Sequence, residues 1–578
     1  IYGNVNVKKI TSNDIVNAEG LHYDIRAYGA IANDSIDDYT AISEAIDSCQ
    51  SNGGGIAYFP PGTYETNAVI TLTGLEKITL KGEGAATILK MKTGANQDQI
   101  MLIDSCSNIT IEKMTFDNNE ANQTGGEIRC IQTADTVNNL TIRDCIFDGN
   151  GRTLGSYGIW LIECYDSVID NIFVDGWNGA DFLVFSNLSQ FISVRNSTFK
   201  NIQYCAITGA AQSKYININN NNFYNIGDEI AKRGHAVYIV ENLDPNKSYW
   251  PSDYVVSNNI AQHCFGDVIH VEEAYRVIIT NNIINGFWET ASGDSSGDTG
   301  ISCNAAQSII SNNHVSGMGG PGITLFSEID GIASGDMVAM GNITFDNGRH
   351  SDPAVIQRNG IWLDDATRCL VIGNISGNSG DSLETQWRGI YSSGVSEHNL
   401  VVSNLLLYNR DHGIYFANSD SELVYNNLIW ENNASNPIAV EMSGFSQKGD
   451  IDAKEFGGHK QTLRFYYEDV TAGLTDAEMQ VFGMHFYSMP FDGSVLGVTV
   501  RANEECSAGS CTVEVNVWNA GIGLTAVLNA GNTWVNTTLQ NKDIDTFPAE
   551  ATISVKITTS GDWAPTTADI VVMVLIEL

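Results

Sequence analysis

Two short segments carry the residue types that proton transfer uses. HAVYIVE runs from His235 to Glu241, and DVIHVEEAYRV runs from Asp267 to Val277. Each reads as a short alternating strand, with Val237, Ile239, Ile269 and Val271 on one face and Tyr238, His270 and Glu272 on the other. If the two are successive rungs of one stacked sheet, Tyr238, Glu241, His270, Glu272 and Glu273 share one patch of surface. His235 and Asp267 then stand at the heads of the two strands. Carboxylates, imidazoles and a phenol brought together in this way are the groups of general acid–base catalysis. Carboxylates that are merely solvated are the competing account in a chain with 68 Asp and Glu.

Positioning such a patch requires strands at a regular interval, and the sequence supplies them. A unit of the form G-I-x-L, a turn, and V-x-I-x-N-N-x-F recurs about a dozen times between Gln99 and Val440. First strands begin near Ile128, Gly158, Asp181, Ala206, Ala236, Val268, Gly300, Gly322, Gly360, Gly389 and Gly413. A second marker, Asn171, Asn196, Asn222, Asn259, Asn282, Asn313, Asn342, Asn374, Asn404 and Asn427, follows in step. A repeat of this size made of short strands is a solenoid. At each tight corner Asn tolerates the left-handed conformation, and stacked copies are expected to hydrogen-bond through their amides.

Composition agrees with many short strands joined by turns. Of 578 residues, 43% are hydrophobic and only 17% charged, with 55 Gly and 10 Pro. The net charge of -38, with 30 Lys and Arg in all, argues against a nucleic-acid partner, because phosphate binding needs clustered cations. No apolar run is long enough to span a bilayer, so membrane insertion is not expected. The 11 Cys are mostly single and sit where a small buried hydrophobe would serve, although Cys506 and Cys511 flank SAGS and could close a hairpin. No CxxC or HExxH spacing points to a metal, and no cofactor is expected; calcium is left open.

Residues 1–22 read as an amino-terminal arm. From His22 the chain runs YDIRAYGAIANDSIDDYTAISEAIDSCQSNGGGIAYFPPGTYETNAVITL. Asp34 or Ser35 is placed to cap a helix over Asp37 to Ser48, with Ile42, Ala45 and Ile46 at helical spacing. A strand over Ile56 to Phe59 and the turn Pro60, Pro61, Gly62 follow. This stretch resembles the opening of the pectate-lyase-like superfamily. The resemblance implies a right-handed parallel β-helix, of about 12 rungs here, over 23–443, behind a capping helix. Residues 444–460 read as a linker. Residues 461–578, with longer alternating strands such as CTVEVNVW and ADIVVMVLIEL, predict a β-sandwich or jelly roll, so the chain as a whole is expected to be all-β.

In a stacked solenoid, outward residues at equal positions form columns. Taking the third residue of each G-I-x-L strand gives Trp160, Leu183, Thr208, Tyr238, His270, Ser302, Thr324, Trp362, Tyr391 and Tyr415. A column rich in Trp and Tyr suits the apolar face of a sugar ring, with Trp160, Tyr238, Trp362 and Tyr391 as candidate platforms; plain strand propensity is the alternative. Acidic residues follow on the same face: Glu163, Glu241, Glu272, Glu273, Asp364 and Asp365. Glycoside hydrolysis needs carboxyl groups about 5 Å apart, or about 6.5–9.5 Å apart when a water fits between, and Glu241 beside Glu272 or Glu273 meets this.

Polygalacturonases of the same superfamily carry N-T-D, D-D and G-H-G on successive rungs. Here the matching rungs read Gly179-Ala180-Asp181, Gln203-Tyr204-Cys205 and Gly234-His235-Ala236, so the Asp pair is missing. Asp181 and His235 remain as candidates, with Asp228 and Glu229 beside them. A lyase or C5-epimerase would instead use Tyr238 or His270 as base and a cation such as Arg233, Arg276 or Arg388 against a uronate. A glycan-binding spike without catalysis is a third reading. The arm, solenoid and sandwich together resemble a phage tailspike or polysaccharide depolymerase. That resemblance implies a homotrimer, a polysaccharide substrate and an extracellular or virion-tail location.

Overall fold

The computed structural model describes residues 15–577, apart from 18–19, 125, 150–155, 228–233, 242–249, 287–298, 327, 330–331, 334, 350–357, 380–384, 395, 418–422, 426, 431–437, 442–452, 455–459, 482–483, 490–491, 532–533 and 543. Asp228, Glu229, Arg233 and most of the segment 444–460 therefore lie outside the described residues. The chain divides into two compact units, one of 1–423 and 432–447, the other of 424–431 and 448–578.

The first unit is built on long parallel sheets, and the one that carries the candidate groups has 14 strands, from Ile70–Thr73 to Ile438–Glu441. Eleven of these are the first strands of the repeat; Ile70–Thr73, Gln99–Asp104 and Ile438–Glu441 extend the stack at its ends. At one position of every rung an apolar side chain points into the interior: Ile159, Leu183, Ile207, Val237, Ile269, Ile301, Ile323, Ile361, Ile390 and Ile414 lie in register, all buried. Each such residue contributes about 1.5–3 kcal/mol of burial. The stack therefore fixes which face of every rung looks outward.

Helix Tyr39–Ser51 buries Ala41, Ile42, Ala45, Ile46 and Cys49. It begins later than the expected Asp37, and no side chain caps it. The nearby carboxylates are used elsewhere. Asp38 accepts from the backbone N–H of Ile31 and Glu65, and Asp37 from those of Tyr39 and Asn67. They tie the helix entry to the strand Gly62–Thr66.

The corner asparagines form two columns where the repeat predicts one. Asn171, Asn196, Asn220, Asn258, Asn281 and Asn312 take positive φ. One residue further on, Asn221, Asn259, Asn282, Asn313, Asn342, Asn374 and Asn404 are buried in ordinary conformations and form the ladder. Each Oδ1 from Asn259 onward accepts the backbone and side-chain N–H of the preceding member, at 2.9–3.1 Å. The left-handed turn and the stacked amide are thus separate jobs for neighbouring residues. Asn221, not Asn222, is the ladder member.

The second unit pairs two antiparallel sheets of five strands each around one core that includes Phe465, Val513, Val555, Trp563 and Val572. Cys506 and Cys511 are free buried thiols within it, not a disulfide.

Candidate active site

Strand Val237–Val240 and strand Ile269–Tyr275 pair in parallel, with Tyr238 opposite His270 and Val240 opposite Glu272. The phenolic hydroxyl of Tyr238 donates to Glu272 Oε2 at 2.5 Å, and His270 Nε2 lies 4.0 Å from the same oxygen. On its other side, His270 Nδ1 meets Asp267 Oδ2 at 2.7 Å. Asp267 is buried, and its second oxygen accepts the Thr299 backbone N–H at 2.8 Å. His235 places Nδ1 2.6 Å from the Asp267 carbonyl. A carbonyl only accepts, so Nδ1 of His235 carries the proton and Nε2 keeps its lone pair. The rings of His235, Tyr238 and His270 are in mutual contact at 4.9–5.3 Å.

The electrostatics follow from burial and partners. Burial, then the neighbouring His270, pushes the His235 pKa down to about 4, so its imidazole is neutral at ordinary pH. Burial, then the bond to Glu272, raises the Tyr238 phenol well above its usual value and holds it protonated. Burial acts to raise the Asp267 carboxyl, but the His270 hydrogen bond and the two imidazoles outweigh it and hold that carboxyl low. The cluster therefore contains an ionised carboxylate orienting His270, a protonated phenol gripping Glu272, and a neutral imidazole. Strongly shifted groups gathered at one place on a surface mark a site.

The other candidates fall at stated heights along the groove. Glu241 donates its backbone N–H to the Glu272 carbonyl at 3.2 Å, which sets it on the neighbouring rung, and its side chain is half-buried. Glu273 takes φ of 54° in a bulge where the pairing of its strand slips. Asp181 stands two residues before Leu183, hence three rungs from Asp267, or roughly 14 Å. It accepts from Thr208 Oγ1 at 2.7 Å, and burial raises its pKa. Trp160 and Trp362 lie four and three rungs from His270, on opposite sides. Asp364 accepts from Ser393 Oγ at 3.2 Å, and Asp365 takes φ of 49° at the strand end. Tyr391 is one rung beyond Trp362, stacked at 6.1 Å. The structure therefore brings Tyr238, His235, Asp267, His270 and Glu272 together, with Glu241 and Glu273 adjoining. It leaves Asp181, Trp160, Trp362, Tyr391, Asp364 and Asp365 along the flanks.

The groove column itself differs at one rung. Val184, not Leu183, pairs with Trp160 and Thr208, while Leu183 points inward with Ile159 and Ile207. The slip arises because two successive residues are buried at each strand start, as in Gly158 and Ile159. Residues three apart, such as Tyr157 and Trp160 or His235 and Tyr238, then share the groove. Strict alternation misses this second column, which holds Tyr157, Asn359, Arg388 and His412 as well as His235 and Asp267. Its signal is the pattern Y-G-I-W, H-A-V-Y, R-G-I-Y, H-G-I-Y.

Among the described residues no group of three or more His, Cys, Asp and Glu side chains is arranged to hold a metal ion, and no helix is long and apolar enough to cross a membrane.

Residues 23–231 match the family described as rhamnogalacturonase A/epimerase, pectate lyase-like, and residues 245–447 match the right-handed β-helix region family. The chain is 32% identical over 113 residues to mannuronan C5-epimerase AlgE6 of Azotobacter vinelandii, covering 18% of this chain and 13% of that protein. It is 33% identical over 87 residues to rhamnogalacturonase A of Aspergillus niger, covering 14% of this chain and 18% of that one. The chain thus spans less than a fifth of the length of either relative. Among solved structures, the A-module of AlgE6 from Azotobacter vinelandii superposes with a TM-score of 0.45 at 16% identity, over 74% of this chain and 99% of that one. PfbA, a surface adhesin of Streptococcus pneumoniae, does so with a TM-score of 0.39 at 15% identity, over 75% of this chain and 94% of the other. The solenoid of this chain is a right-handed parallel β-helix, whose residues 23–231 resemble the pectate-lyase-like family.

Proposed function

We propose that this protein is a carbohydrate-active enzyme that hydrolyses a polysaccharide laid along the groove, with Glu272 as the central carboxylate. The observation that carries the reading is the setting of Glu272. Its carboxylate is held by Tyr238 and faces His270, and its backbone carbonyl accepts the N–H of Glu241 on the next rung. In the reaction one carboxyl group protonates the departing glycosidic oxygen as the C–O bond breaks. The other takes a proton from the water whose oxygen joins the anomeric carbon, so one water is added per bond cut. Charge favours hydrolysis over elimination. Glu241, Glu272, Glu273 and Asp267 line these rungs, whereas among the described residues no Lys or Arg stands on strands Ile207–Ala210, Val237–Val240 or Ile269–Tyr275 to neutralise a uronate.

Elimination or C5-epimerisation is the second reading. The neutral His235 favours it, because its imidazole offers a lone pair as base, and Asp267 holds His270 beside it. The epimerases and the rhamnogalacturonase among the relatives support a polysaccharide substrate under either reading. A trimeric assembly, with an extracellular or virion-tail setting, belongs to the same proposal.

The test is release of reducing ends from a panel of neutral and acidic bacterial polysaccharides. The native chain is expected to be active on at least one polymer, with E272Q and E241Q reduced by orders of magnitude. Equal activity in both variants and the native chain would overturn the assignment. Binding without cleavage would favour a glycan-binding spike.

A further inference from the structure

Toward its carboxy-terminal rungs the groove changes character. Asn359, Arg388 and His412 stand side by side on successive strands, in the column that holds His235 and Asp267 at the acidic centre. The Arg388 guanidinium lies over the rings of Tyr391 and Tyr415, 4.5 and 4.7 Å from their centroids. Tyr391 is itself stacked between Trp362 at 6.1 Å and Tyr415 at 5.6 Å. A cation flat on phenol rings, beside a continuous aromatic stack, is a cation–π arrangement that favours binding.

The hydrogen bonding around it is incomplete. Among the described residues Arg388 Nε and Nη1 have no acceptor, and its Nη2 lies 3.9 Å from Asp411. Asn359 is fully buried, yet among the described residues neither its Oδ1 nor its Nδ2 has a partner. Buried polar groups are nearly always satisfied, because leaving them open costs stability. Two open guanidinium nitrogens and an open amide on paired positions of neighbouring strands therefore point to a ligand that completes them. Guanidinium presents a planar fork of donors that matches a carboxylate or sulfate ester, and the long contact to Asp411 is readily exchanged. Aromatic rings beside it suit a sugar face.

We propose that Arg388, with Asn359 and the Tyr391–Tyr415 stack, forms a subsite for an anionic sugar, carrying a carboxylate or a sulfate ester, of the same polysaccharide that is cut at Glu272. The inference rests on that functional reading. Tyr391 is four rungs from His270, through Ser302, Thr324 and Trp362, or roughly 19 Å. The scissile bond and the acidic sugar are thus several sugar units apart. The carboxylates at the centre repel an anionic group that Arg388 attracts, so the two ends of the groove set the direction and register of the bound polymer. The substrate class is a heteropolysaccharide with uncharged units at the cleavage point and a periodic acidic unit.

The test uses the full chain carrying E272Q, so that binding is read without cleavage. Affinity electrophoresis against gellan and xanthan, whose uronates are separated by neutral sugars, reports carboxylates, and kappa-carrageenan, with one sulfate ester per disaccharide, reports sulfate esters; each is paired with its carboxyl-reduced or desulfated form. The expected result is binding of at least one acidic polymer. Adding R388Q should weaken that binding about tenfold or more, and the neutralised polymer should not distinguish the two proteins. If R388Q does not fold, the salt dependence of the E272Q chain decides: affinity falls as NaCl rises. No binding of any acidic polymer, an unchanged affinity in folded R388Q, or a flat salt response would overturn the proposal. Cleavage assays on the native chain report on the functional reading separately, so failure of the subsite and failure of that reading are distinguished.

Discussion

The Tyr238 hydroxyl reaches across one rung to the Glu272 carboxylate, and the bond is 2.5 Å long. Its partner strands are held in register by Val237 against Ile269 and Ile239 against Val271, all buried. The geometry of the pair is thus fixed by the core beneath it. Replacing Tyr238 by Phe removes the donor and keeps the ring. The expected outcome is a loss of about 10–100-fold in kcat with KM little changed and an unaltered unfolding midpoint, because the interaction serves the reacting carboxylate more than substrate binding. Steady-state kinetics on the cleaved polymer check this.

Acid should destabilise the solenoid before it reaches the range where ordinary carboxylates protonate. The His235 pKa is pushed from 6.5 to about 4 in the folded chain, so between those values the unfolded chain binds more protons. Stability is then full above about pH 6.5 and falls as pH drops toward 4. Asp267, whose pKa is held low, adds loss in the same direction at still lower pH. Thermal unfolding measured across this range should show the slope, and H235N should flatten its upper part. Long-range proton–nitrogen spectra should show the Nδ1–H tautomer of His235 persisting to about pH 5.

The asparagine ladder makes a stability prediction. Asn282 accepts from Asn259 through Oδ1 and donates to Val256 and Asn313. In N282A the Asn259 N–H groups and the Asn313 Oδ1 lose buried partners, and a loss of about 2–5 kcal/mol is expected in urea unfolding. A neighbouring exposed change such as N281A should cost far less, since Asn281 supplies only a left-handed turn.

Close packing at the strand starts gives another. A Cβ on Gly158 would stand 2.0 Å from the Phe182 ring, which is fully buried and packed on Phe147 and Trp177. G158A is expected to cost about 1–3 kcal/mol by overpacking, read as a lower denaturation midpoint.

The fold was legible because its causes are local and repeated. Each G-I-x-L strand, each N-N corner and the GGG-strand-PxGxY opening states the same period, and the buried column of Ile, Leu and Val confirms it at ten rungs. What alternation could not show is that each strand opens with two inward residues. That detail puts Val184, not Leu183, in register with Trp160 and concealed Arg388, Asn359 and His412 as neighbours of the aromatic column. The patch around Tyr238, His270 and Glu272 was legible because all three lie beyond the double inward step, where period two holds. The roles of Asp267 and His235 depend on hydrogen bonds to a carbonyl and to a neighbouring imidazole, which no spacing rule encodes.

The central claim is that Glu272 drives hydrolysis. Its most direct test is mass spectrometry of the products formed by the native chain and by E272Q in water labelled with heavy oxygen. Hydrolysis predicts one labelled oxygen per bond cut by the native chain and almost no product from E272Q. Products that lack the added water and carry a carbon–carbon double bond, or undiminished labelled product from E272Q, would contradict it.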